Sequence, residues 1–88
     1  MYGNLSKGAI SSYPNPVKGN EHIVDINTNV YDQKYVINVI DIMGRIVKSV
    51  HGTHGENVVD MTDISNGIYM VEVMSGNDRV FTTKVVRL

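Results

Sequence analysis

The stretch Asn66-Gly67-Ile68-Tyr69-Met70-Val71-Glu72-Val73 constrains this chain more than any other. Asn and Gly tolerate positive φ and so reverse a chain. The alternation that follows, Tyr69, Val71 and Val73 against Ile68, Met70 and Glu72, has the period of two of a strand with one buried face. Tyr69, Val71 and Val73 are expected to face a core. A second hairpin lies upstream: Tyr35 to Ile42 is an apolar run rich in β-branched residues, Met43-Gly44 supplies the reversal, and Arg45 to Val50 returns. Val36, Ile37, Val39, Ile40 and Ile42 populate both faces of its first arm, which makes that arm a central strand or one covered on its outer side too.

The other segments follow the same logic. Ala9 to Tyr13 reads as a short strand stopped by Tyr13-Pro14-Asn15-Pro16, whose prolines remove two backbone donors and bar a central strand. After a turn at Lys18-Gly19-Asn20, the run from His22 to Thr28 alternates, with His22, Val24, Ile26 and Thr28 on the expected inner face. Asn29 to Lys34 is a polar connection carrying Val30 and Tyr31. His51-Gly52-Thr53-His54-Gly55 reads as a loop and Glu56 to Met61 as the next strand, with Val58 and Val59 its apolar pair. Asp60 to Ser65 is a non-repetitive bend held by its Asp, Thr and Ser side chains. The last hairpin turns at Ser75-Gly76-Asn77-Asp78 and returns through Arg79 to Leu88. In that strand Phe81, Thr83 and Val85 share one face, and Val80, Thr82, Lys84, Val86 and Leu88 the other. No helical period survives uninterrupted by Gly or Pro over ~11 residues, and about seven short strands at ~8–12-residue spacing predict an all-β sandwich.

With 88 residues there is one core, placed at residues 9–88, and Met1–Gly8 reads as a linker or ragged entry that joins something larger upstream. The absence of Cys leaves stability to the packed sheets and leaves the redox compartment undecided. A formal charge of −1 without a basic block argues against nucleic acid as a partner. No apolar run approaches the ~20 residues of a spanning helix, and no basic-then-apolar leader opens the chain, so no membrane insertion is expected. The polar start after Met1 suggests the end of a longer protein, with any export leader elsewhere.

His51 and His54, with His22 as a third donor, make a candidate metal site, against the plainer reading of a solvated loop with two histidines. Asp60, Asp63 and Asn66 lack the spacing and bidentate Glu of a calcium loop, and turn capping is the better account. No nucleophile elbow, phosphate loop or paired titratable constellation is present, so neither an enzyme nor a cofactor is expected. Tyr2, Tyr13, Tyr31, Tyr35 and Tyr69 would support a carbohydrate-binding face only if several shared one exposed surface.

Taken together, Tyr13-Pro14-Asn15-Pro16, then Asp41-Ile42-Met43-Gly44-Arg45-Ile46-Val47, then Gly67-Ile68-Tyr69-Met70-Val71, then Gly76, and finally Thr83-Lys84-Val85-Val86 resemble the C-terminal sorting domain of proteins exported by the type IX secretion system (the Por secretion system) of Bacteroidetes. The resemblance runs from about Ser12 to Leu88. Each piece also has a structural job: Pro14, Asn15 and Pro16 end the first strand, Asp41, Gly44 and Arg45 shape a turn, Gly67 and Gly76 turn the chain, and Tyr69 fills the core.

The resemblance implies an immunoglobulin-like β-sandwich of about seven antiparallel strands at the end of a larger cargo. It implies transit of the folded cargo through the periplasm, recognition by the outer-membrane type IX translocon, and release or anchoring at the cell surface by a sortase-like protease, with a cut near or before Met1–Gly8. Recognition is expected at Thr83, Lys84, Val85, Val86, Arg87 and Leu88, with Lys84 and Arg87 exposed and the strand edge open to a partner strand. A last strand sealed on both sides would remove that mechanism. The domain is expected to be a monomer or a weak edge-strand dimer. The alternative is a fibronectin-like adhesion or carbohydrate-binding sandwich.

Overall fold

The period-two segments become strands almost where the sequence puts them. In the computed structural model, which describes residues 9–28 and 33–88, the strands are β1 (Ile10–Tyr13), β2 (Glu21–Ile26), β3 (Tyr35–Ile40), β4 (Ile46–Gly52), β5 (Gly55–Asp60), β6 (Gly67–Ser75) and β7 (Asp78–Arg87). The expected linker Met1–Gly8, and the part of the expected connection at residues 29–32, lie outside the described residues. The strands form two antiparallel sheets in the orders β1-β2-β5 and β4-β3-β6-β7. This is the expected sandwich, with β3 inside its sheet as its two-faced apolar pattern demands.

The inner faces meet in one core. Val24, Ile26 and Val59 come from the three-stranded sheet, and Ile37, Val39, Tyr69, Val71, Val73 and Val85 from the four-stranded one, with Val17, Met61 and Ile64 closing the ends. Of the apolar pair on β5, Val59 is buried and Val58 is 54% exposed, because neighbours on a strand point to opposite faces. The expected loop at His51–Gly55 is also shorter than expected. β4 runs through Gly52 and β5 starts at Gly55, so only Thr53 and His54 cross between the sheets.

Two hairpins carry the four-stranded sheet. β3 ends at Ile40, two residues before the apolar run does, because Asp41 begins a side-chain-built turn. Its Oδ1 accepts from the amides of Met43 and Arg45, both at 2.9 Å, and its Oδ2 from Arg45 Nε at 3.0 Å. Those bonds, the Arg45 amide foremost, hold the Asp41 carboxyl below the usual carboxylate range. Gly44 in this turn has φ 86 and Gly76 in the β6–β7 turn φ 61, a region that L side chains avoid. A bulge between Val39 and Ile40 skips Val47 and sets Ile46 opposite Ile40 on the outer face.

Candidate functional site

The register of β7 on β6 decides what the C-terminal strand offers a partner. Tyr69, Val71 and Val73 face the core, and they lie opposite Val85, Thr83 and Phe81; Met70 lies opposite Lys84 and Ile68 opposite Val86. Thr83 and Val85 are thereby turned inward, whereas Lys84 and Val86 lie on the outer face. Lys84 is exposed, and its ammonium has no hydrogen bond or ion pair among the described residues.

Continuing the alternation by one step brings Arg87 to the inner face. It is only 9% exposed, which corrects the expectation of an accessible charge. Its guanidinium donates from Nη1 to Gly19 O at 2.5 Å and to Leu88 O at 3.3 Å, and from Nε to Ile64 O at 3.3 Å. A planar fork of donors suits three main-chain oxygens that no apolar residue would satisfy. Arg87 thus ties the end of β7 to the turn before β2 and to the bend before β6.

The outer edge of this strand end is closed as well, a second correction. β7 is the last strand of its sheet, yet the Asn15 side chain donates to Lys84 O at 2.9 Å and accepts from Val86 N at 3.0 Å. Val17 N donates to Val86 O at 2.7 Å, and Leu88 N donates to Val17 O at 2.9 Å, a short parallel bridge. The proline-flanked segment that cannot enter a sheet interior thereby acts as a clasp on the last strand. By alternation the Thr82 N–H and C=O lie on the same edge, so among the described residues its open stretch lies upstream of the clasp.

The clasp is held from below by His22. Its Nδ1 lies 3.0 Å from Pro14 O, so the neutral ring carries its proton on Nδ1 and donates it there. The Nε2 atom is buried without a partner among the described residues. Burial pushes the imidazole below its ordinary pKa, and the bond to Pro14 offsets part of that shift.

The family model described as the secretion system C-terminal sorting domain matches residues 11–87. The chain belongs to that family. No curated protein matches it. The sorting domain is a C-terminal signal for type IX secretion, which implies attachment to a cargo and export to the cell surface or beyond. Its family is one of sorting-signal domains.

The other candidate residues of the sorting domain are dispersed. His22 is in the core, His51 stands opposite Val36 on the four-stranded sheet, and His54 Nδ1 accepts from Thr28 N at 3.4 Å. Among the described residues no group of three His, Cys, Asp or Glu is placed to hold a metal ion. Asp60 Oδ1 accepts from the Thr62 hydroxyl at 2.5 Å and the Thr62 amide at 2.9 Å, bonds that lower its pKa, and Asp63 pairs with Lys48 at 3.2 Å. Of the described tyrosines, Tyr35 and Tyr69 are buried and only Tyr13 is exposed, so they form no aromatic platform. The Tyr69 hydroxyl donates to Ser65 O at 2.7 Å.

Proposed function

We propose that the sorting domain is read as a folded body by an outer-membrane component of the type IX machinery. The readout lies on the outward side chains of the C-terminal strand, Lys84 and Val86, with Leu88 beyond them. Thr83, Val85 and Arg87 serve recognition indirectly, by holding that strand in place. The observation that supports this reading is the clasp: with the edge from Lys84 to Leu88 bonded to Asn15 and Val17, a partner meets side chains there rather than free backbone. Cargo joined ahead of the domain passes the periplasm folded, and a sortase-like surface protease then cuts at or before residues 1–8.

Fusion of residues 1–88 to the C-terminus of a periplasmic reporter tests the reading, in hosts with and without the type IX machinery. Surface delivery that requires the machinery, with the reporter folded before it crosses, is the expected result. Retention in the periplasm of both hosts, with the domain folded, overturns it.

A further inference from the structure

The outer face of the four-stranded sheet is not uniform. Its middle is closed by a polar chain in which Ser49 Oγ donates to Asn38 Oδ1 at 2.7 Å, Asn38 Nδ2 to Glu72 Oε1 at 3.0 Å, and Arg79 Nε lies 3.4 Å from Glu72 Oε2. The end nearest the β3–β4 turn is apolar instead. There Ile46, Ile40, Met70 and Lys84 form one cross-strand row, each opposite the next. Ile42 is 79% exposed, Ile68 50% and Met70 41%. These three, with Asp41 and Lys84, line a hollow of about 270 Å³. Single exposed apolar residues need no explanation, but a contiguous apolar hollow on a small soluble domain marks a contact surface.

The charges around this hollow select its occupant. The Asp41 carboxylate is already taken by Arg45 and two turn amides, whereas the Lys84 ammonium has no partner among the described residues. Asn15 holds the Lys84 main chain, which fixes where that cation emerges. A second copy of the domain packed face to face would bring the same cation to the contact without a free carboxylate to meet it. We propose that this hollow docks a segment of the export machinery that carries apolar side chains beside a carboxylate, the apolar groups against Ile42, Ile68 and Met70 and the carboxylate on Lys84. The proposal rests on the reading of the chain as a sorting signal.

The test uses the reporter fusion in a host with the machinery, scoring surface delivery beside the melting temperature of each domain variant. The double variant Ile42→Thr with Ile68→Thr, and separately Lys84→Glu, should lower delivery at least about tenfold, as loss of central contact residues does. Both should melt within about 4 °C of the parent, since the altered side chains are exposed or half-exposed. Lys84→Arg should restore delivery, and Val58→Thr, an exposed valine on the other sheet, should leave it unchanged. Parental delivery by both the Ile42/Ile68 and Lys84→Glu variants, with the unaltered domain exported, overturns the docking site and leaves the sorting reading intact. A concentration-dependent dimer abolished by the Ile42/Ile68 double variant overturns it in favour of self-association. Failure of the unaltered fusion to be delivered overturns both readings.

Discussion

Replacing Arg87 by methionine removes the guanidinium while keeping an unbranched apolar stem of similar reach. Two acceptors then decide the cost. Gly19 is exposed, so water can replace the donor at its carbonyl, and the loss there is one charge-assisted bond of 2.5 Å. Ile64 is buried, so its carbonyl loses a donor at 3.3 Å that water replaces poorly. A net ~1.5–3 kcal/mol for the first and ~1–3 kcal/mol for the stranded carbonyl, less the relief of no longer burying a charge, gives ~3 kcal/mol. At ~4–8 °C per kcal/mol for a domain of this size, melting should fall by roughly 12–24 °C. Thermal unfolding followed by circular dichroism measures it, with Lys84→Met as the companion that should melt like the parent. An Arg87→Met domain melting within about 2 °C of the parent would show that the guanidinium does not hold the end of β7.

Two further predictions come from the clasp. Burial keeps the His22 pKa below its ordinary 6.5, so below pH 6.5 the unfolded chain takes up a proton that the folded one refuses. Stability is therefore complete above pH 6.5 and falls as the pH drops toward the lowered value, by up to ~1.4 kcal/mol per pH unit, and urea unfolding should show this loss reduced in His22→Gln. Asn15→Ala removes two hydrogen bonds at an exposed position and should cost about 1 kcal/mol by urea unfolding, with the core untouched.

The strands were legible because their signal is local. Alternation placed His22, Val24 and Ile26 inside on β2, and Tyr69, Val71 and Val73 inside on β6, and Ser75–Asp78 marked the β6–β7 turn, whereas Asn66-Gly67 closes no hairpin: the chain has already crossed from β5 in the other sheet, and Gly67 is the first residue of β6. Arg87 was misread although the signal was present. It continues the Phe81, Thr83, Val85 series by one step, but a charged side chain at the end of a strand looks like surface until three main-chain oxygens are seen around it. The clasp was illegible for a different reason. Asn15 meets Lys84 and Val86 across about seventy residues of sequence, and no period or spacing records such a contact. The apolar row of Ile46, Ile40 and Met70 beside the hollow depended on a bulge that sets Ile46 opposite Ile40, a backbone irregularity the alternation does not announce.

Amide hydrogen exchange along β7 tests most directly whether the end of the signal strand is sealed into the fold. The Val86 amide is donated to Asn15 Oδ1 and the Leu88 amide to Val17 O, whereas the Thr82 amide faces the open stretch of the same edge. The structure predicts that Val86 and Leu88 exchange far more slowly than Thr82, and that Asn15→Ala releases Val86. Exchange of Val86 and Leu88 as fast as that of Thr82 in the unaltered domain would contradict the account, because the tail would then be an open edge and not a clasped one.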